Sequence, residues 1–155
     1  MLKAFILTGL PASGKSTWIE NSAMLADCNP IIVSSDNYID TVAARLGKTY
    51  NDVFKDAIKD ATNHVKNQKA YAIENERDIV WDQTNLTVKK RKQCLEGLDK
   101  YQTISVDFSI PSLDIWFERL GWRVGKTIPY HIMGSMIKSY EKPTIDEGFH
   151  SIIRV

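Results

Sequence analysis

The sequence predicts an α/β protein of three layers, a five-stranded parallel sheet with helices on both faces, and three observations predict it. Strand-like and helix-like stretches alternate along the chain. A glycine-rich turn lies between the first strand and the first helix, where an open parallel sheet places its ligand loop. The length, 155 residues, suits one domain over 1–155 that needs no disulfide or structural metal.

The elements follow in order. Ala4–Thr8 is a compact apolar run closed by Gly9, and Lys15–Leu25 has helical character. Ile31-Ile32-Val33 is β-branched and ends in Ser34-Ser35-Asp36. Val53, Ala57, Ala61 and Val65 recur every four residues, which marks one face of a long helix reaching about Asn75. Ile79-Val80-Trp81 reads as the third strand, closed by Asp82-Gln83-Thr84-Asn85, and a basic helix runs from Thr87 to about Leu98. Thr103–Ser109 alternates as a strand, and Pro111-Ser112 starts a helix that runs to about Trp122. Pro129 sits in the first turn of a further helix ending near Tyr140, Pro143–Gly148 is a loop, and Phe149–Val155 resembles a last strand.

Composition sets outer bounds on function. Lys plus Arg number 20 and Asp plus Glu 19, for a net charge of +1. That balance excludes a protein that holds long nucleic acid by bulk charge, though not a small basic pocket. The two cysteines, Cys28 and Cys94, have no metal-ligand or redox spacing and read as reduced or buried thiols. No apolar run approaches membrane length and the N-terminal run is too short for a secretory signal, so the expected location is cytoplasmic, with no membrane partner.

Gly9-Leu10-Pro11-Ala12-Ser13-Gly14-Lys15-Ser16-Thr17 fits G-x-x-x-x-G-K-[ST], the loop that wraps the phosphates of a nucleotide. Glycine at both ends permits a tight turn and close approach of the backbone to phosphate. Gly9, Ala12, Ser13, Gly14, Lys15, Ser16 and Thr17 therefore form the predicted ATP loop, with Lys15 on the phosphates and Ser16 on Mg²⁺. No guanine-specific N-K-x-D motif occurs.

Residues just past the other strands complete the candidate site. Asp36 is placed to take a proton from an attacking hydroxyl, and spacing alone suits it equally to capping the next helix. Asp82 is a candidate Mg²⁺ ligand and Asn85 a candidate substrate contact, against the plainer reading that this segment only shapes a turn. Arg119 and Arg123 share a helix face that Lys126 extends, which suits a cationic lid or merely a solvated face. Arg91, in the run Lys89–Lys92, is a candidate contact to a substrate phosphate, again against a solvated helix face. The four tryptophans, Trp18, Trp81, Trp116 and Trp122, read as core, with Trp122, inside the lid, the one candidate for stacking on a base.

With those residues named, the chain resembles the kinase domain of the phage polynucleotide kinase family, within the small P-loop kinases. The resemblance runs through Gly14–Trp18, Asp36 with Tyr38, Thr84-Asn85-Leu86, Arg119 and Arg123, Gly125-Lys126 with Ile128-Pro129, and Ser135-Met136 with Ser139-Tyr140. It implies Asp36 as general base, Lys15 and Arg123 as catalytic cations, Arg119 and Arg123 on the donor phosphates, and ATP with Mg²⁺ as donor. It also implies a single-stranded or end-exposed nucleic acid whose 5′-hydroxyl accepts the phosphoryl group. Two departures stand against it. The substrate-side arginine three residues past the base falls at Ile39, and the ending of the third strand, Asp82-Gln83-Thr84-Asn85, is closer to the wider group of small P-loop kinases. The D-x-D-x-T motif that marks the phosphatase of some relatives does not occur, so a 3′-phosphatase activity is not expected. A kinase of nucleosides, modified bases or other small hydroxyl compounds, and a non-catalytic ATP sensor, are the rival expectations.

Overall fold

The computed structural model describes residues 1–155. Five strands form one sheet in the order β2-β3-β1-β4-β5: β1 Leu2–Thr8, β2 Ile31–Val33, β3 Ile79–Trp81, β4 Tyr101–Asp107 and β5 Ser151–Arg154. Every neighbouring pair is parallel, with Ala4 opposite Ile79 on one side of β1 and opposite Thr103 on the other. Parallel neighbours require crossovers, and six helices supply them: α1 Lys15–Asn21, α2 Ser35–Leu46, α3 Tyr50–Glu74, α4 Val88–Leu95, α5 Leu113–Gly121 and α6 Tyr130–Ser139. None is long and apolar enough to cross a membrane.

Both sheet faces are covered, which is why β1 is apolar at successive positions rather than alternating. Ala4 and Ile6 pack into a cluster with Val65 and Ala72 of α3 and Cys94 of α4. Phe5 and Leu7 point the other way, into a cluster with Leu25, Val106 and Phe108 that Trp18 and Ile19 of α1 also join. A separate cluster under the C-terminal segments joins Leu10, Leu86, Trp116 and Met133 and seats α5 and α6 beside the first loop. The four-residue periodicity of α3 is explained by its packing: Val53, Ala57 and Ala61 meet Ile39 and Ala43 of α2.

Several boundaries differ from the sequence reading. The first helix stops at Asn21, because Ser22 turns extended. Pro143–Gly148 contains a 3₁₀ turn, Ile145–Glu147, closed by the Thr144 amide donating to Glu147 Oε1 (3.0 Å) and the Glu147 amide to the Thr144 carbonyl (3.2 Å). The last strand begins at Ser151, two residues later than Phe149, whose ring is buried in the core. Both cysteines are free, and burial pushes the Cys94 thiol up to about 12.

Candidate active site

The C-terminal ends of the strands open into one cleft of about 840 Å³. Its wall is made by the Pro11–Trp18 segment, Asp36, Asn37 and Asp40 of α2, Asp82 after β3, Phe108 after β4, and Arg119, Trp122, Arg123 and Lys126 of the α5–α6 segment. Most residues that the sequence singled out thus meet in one place.

The loop from Gly9 to Thr17 is shaped by contacts on all sides. The Gly9 amide donates to the Thr84 carbonyl (3.0 Å), which ties the loop to the end of β3. The Trp116 indole N–H donates to the Pro11 carbonyl (2.7 Å), and Arg119 Nη1 to the Ala12 carbonyl (3.3 Å), so α5 grips the loop from above. Ala12 and Gly14 both lie at positive φ, 60° and 103°. The amides of Gly14, Lys15, Ser16 and Thr17 donate to no other group of the protein, and α1 has no side-chain cap. They are free for an anion, as are the Ser16 hydroxyl at the cleft and the buried, unpartnered Ser13 hydroxyl.

Gly9 is required by space, not by φ. A Cβ there would lie 2.5 Å from Ser13 Oγ and 2.9 Å from Phe108 Cβ. The Ser13 hydroxyl can swing aside, but Phe108 is packed in the core. Gly9→Ala is therefore expected to displace the loop and weaken nucleotide binding on the order of tenfold or more, as read by calorimetric titration. Affinity equal to wild type would mean that the loop absorbs the methyl group without moving.

Lys15 Nζ donates to the carbonyls of Gly9 (2.9 Å) and Leu10 (2.8 Å), curled inside its own loop. Burial lowers its ammonium to about 8, against the pull of the Asp82 and Asp36 carboxylates and with a smaller push from Arg123. Burial likewise raises the Asp82 carboxyl, opposed by Lys15. The Asp82 carboxylate has no hydrogen-bond or ion-pair partner in the protein, and with Ser16 it offers the cleft two hard oxygen donors of the type that Mg²⁺ takes.

Asp36 is not the cap of α2. Ser34 is, its hydroxyl accepting from the Asn37 amide (3.2 Å), so the Asp36 carboxylate is left to face the cleft from the first turn. The cations Arg119 and Arg123 also line the cleft. Trp122 lies between them and is exposed at its wall, whereas Trp116 is fully buried.

Two expectations require correction. Arg91 does not reach a substrate: it is fully buried, paired with Glu147 through Nε (2.7 Å) and Nη2 (2.8 Å), and its Nη1 donates to the Asn85 carbonyl (3.0 Å). Asn85 is buried as well. Its carboxamide donates to the Leu7 carbonyl (2.7 Å) at the end of β1, and its backbone takes a positive φ of 45°. Both residues brace the floor beneath the phosphate loop. Tyr50, which the sequence reading passed over, instead meets the site: its hydroxyl donates to Asp36 Oδ1 at 2.6 Å.

A family model described as an AAA domain (AAA_33) matches residues 5–143. No curated protein matches the sequence. Among solved structures, the chain is similar to a protein from Chloroflexus aurantiacus J-10-fl assigned as a kinase, with 17% identity, TM-score 0.66, and coverage of 99% of this chain and 84% of that one. A gluconokinase from Sinorhizobium meliloti 1021 matches at 17% identity and TM-score 0.55, over 99% of this chain and 81% of that one. A chain from the PezAT chromosomal toxin–antitoxin system of Streptococcus pneumoniae matches at 16% identity and TM-score 0.66. That match covers 95% of this chain but only 60% of the other. At these identities the likeness is one of fold.

Proposed function

On the premise that the chain belongs to the AAA domain family AAA_33 and has the α/β fold of the P-loop kinases, we propose that it is an ATP-dependent phosphotransferase acting on a small hydroxyl compound. The observation that carries this reading is the shared cleft. The phosphate loop, a carboxylate free of capping duty and two lid arginines line one cavity. An ATP sensor has no use for the carboxylate.

The residues divide the work by position. The unpaired amides of Gly14–Thr17 and the Lys15 ammonium bind the β- and γ-phosphates of ATP, with Lys15 leaving its loop carbonyls for them. Arg119 and Arg123 close from the other side and balance the charge that spreads over the transferring group. Ser16 and Asp82 would hold Mg²⁺, whose chemistry is to shield the phosphate oxygens. Asp36 accepts the proton of the acceptor hydroxyl. The acceptor oxygen bonds to the γ-phosphorus as the bond from that phosphorus to the β–γ bridging oxygen breaks, releasing ADP.

The acceptor side supports a small compound without a phosphate beside the reacting hydroxyl. Asp36, Asn37 and Asp40 line it, and Lys126 is committed to Asp40 (2.7 Å). The gluconokinase among the similar folds is named for a small polyhydroxy acid, which fits this class. A polynucleotide 5′-hydroxyl is the second reading, favoured by the resemblance to the phage polynucleotide kinase family at Asp36, Arg119 and Arg123. Its phosphate contacts are the weak point, since Arg91 is occupied and Ile39 is fully buried.

The test is transfer of label from γ-labelled ATP to a panel of sugars, polyols, nucleosides, amino alcohols and 5′-hydroxyl oligonucleotides. Label on a small alcohol is the expected outcome. Label confined to oligonucleotide ends would replace it with the second reading, and ATP binding with no labelled acceptor would favour a sensor.

A further inference from the structure

The corner where α3 begins touches both the carboxylate proposed as base and the lid. Thr49 caps α3 through a reciprocal box with Asp52, which fixes Tyr50 as the first helical residue. From there the Tyr50 hydroxyl donates to Asp36 Oδ1 at 2.6 Å, a short bond to a charged acceptor. Burial pushes the Tyr50 phenol far up, and the Asp36 carboxylate adds to the shift, so the hydroxyl keeps its proton at any working pH.

The same corner holds the segment after α5. Lys126 Nζ lies 4.5 Å from the centroid of the Tyr50 ring while it pairs with Asp40. The Asn51 amide donates to the Gly125 carbonyl (3.1 Å), and Asn51 Nδ2 donates to Thr127 Oγ1 (2.5 Å). The Thr127 amide returns a bond to Asn51 Oδ1 at 3.2 Å. Gly125, at φ 72°, is pressed against Thr49, where a Cβ would come within 2.8 Å of the Thr49 Cβ.

We propose that Tyr50 is a positioning residue for phosphoryl transfer: its hydroxyl holds one oxygen of Asp36 so that the other is presented to the acceptor, and its ring registers that carboxylate against the lid. The inference rests on the phosphotransferase reading. Asp36 is exposed and has two rotatable bonds, so this single hydrogen bond selects its orientation. Tyr50 itself moves no proton.

Tyr50→Phe keeps the ring and its Lys126 contact and removes only the hydroxyl. It is expected to lower kcat about ten- to a hundredfold with KM for ATP and Tm unchanged. Placed on top of Asp36→Asn, it is expected to cause no further loss, because no base is then left to orient. An unchanged kcat, a fall in Tm that accompanies the loss, or an equal loss in the Asp36→Asn background would each overturn the proposal. If wild type labels no acceptor, the phosphotransferase reading fails, and the comparison is made on hydrolysis of ATP by water. Loss of hydrolysis with Tyr50→Phe then sustains the positioning role, and equal rates remove it. A wild-type protein that neither transfers nor hydrolyses overturns both.

Discussion

Asp36→Asn is expected to reduce phosphoryl transfer by roughly 10²–10⁴-fold while ATP still binds. The carboxamide has nearly the shape of the carboxylate but cannot accept the acceptor's proton. The fold does not rest on the charge, because Ser34 caps α2, Asp36 is exposed, and the carboxamide oxygen can still accept from the Tyr50 hydroxyl. ATP affinity should remain within about twofold, since the loop amides and the arginines are untouched. Transfer and titration are measured on the same preparation. Transfer at the wild-type rate would remove Asp36 as base, and loss of ATP binding together with transfer would recast it as a donor-side residue.

The second large effect is on stability. Arg91→Met strands the Glu147 carboxylate, which is almost fully buried and would keep only the Thr144 amide as donor (3.0 Å). Breaking a buried pair from one side costs about 3–5 kcal/mol, and for a chain of this size that lowers Tm by roughly 10 °C. Arg91→Met/Glu147→Gln should regain part of the loss, because no charge is then left without a partner. Acceptor KM well below the melting temperature should not change. A variant with normal Tm and raised acceptor KM would return Arg91 to the substrate side.

These two residues also mark what the sequence made legible. The loop from Gly9 to Thr17 was readable because phosphate binding restricts residue type at each position, and its place after an apolar strand fixed its orientation. Asp36 was readable as a position for a similar reason, since the end of β2 had to open on the same edge. Arg91 was not. Its partner Glu147 lies 56 residues away, and a run of four cations carries no sign that one of them turns inward. Asn85 misled in the same way, because a polar residue at a strand end serves equally to brace backbone or to meet ligand. Tyr50 was invisible for a geometric reason. Its contact with Asp36 spans 14 residues and arises only because α3 folds back along α2.

The register of β1 has a consequence for how the protein is made. The strand that carries the phosphate loop leaves the ribosome before the other four, yet its neighbours at Ile79 and Thr103 follow much later in the chain. At about 5–20 residues per second, β1 therefore waits several seconds as an unpaired apolar strand before β3 and β4 can dock on either side. Pairings so distant in sequence are slow to form, and the nascent chain is at its stickiest in that interval. Chaperone dependence should fall sharply once the chain through Asp107, where β4 is complete, has emerged from the ribosome.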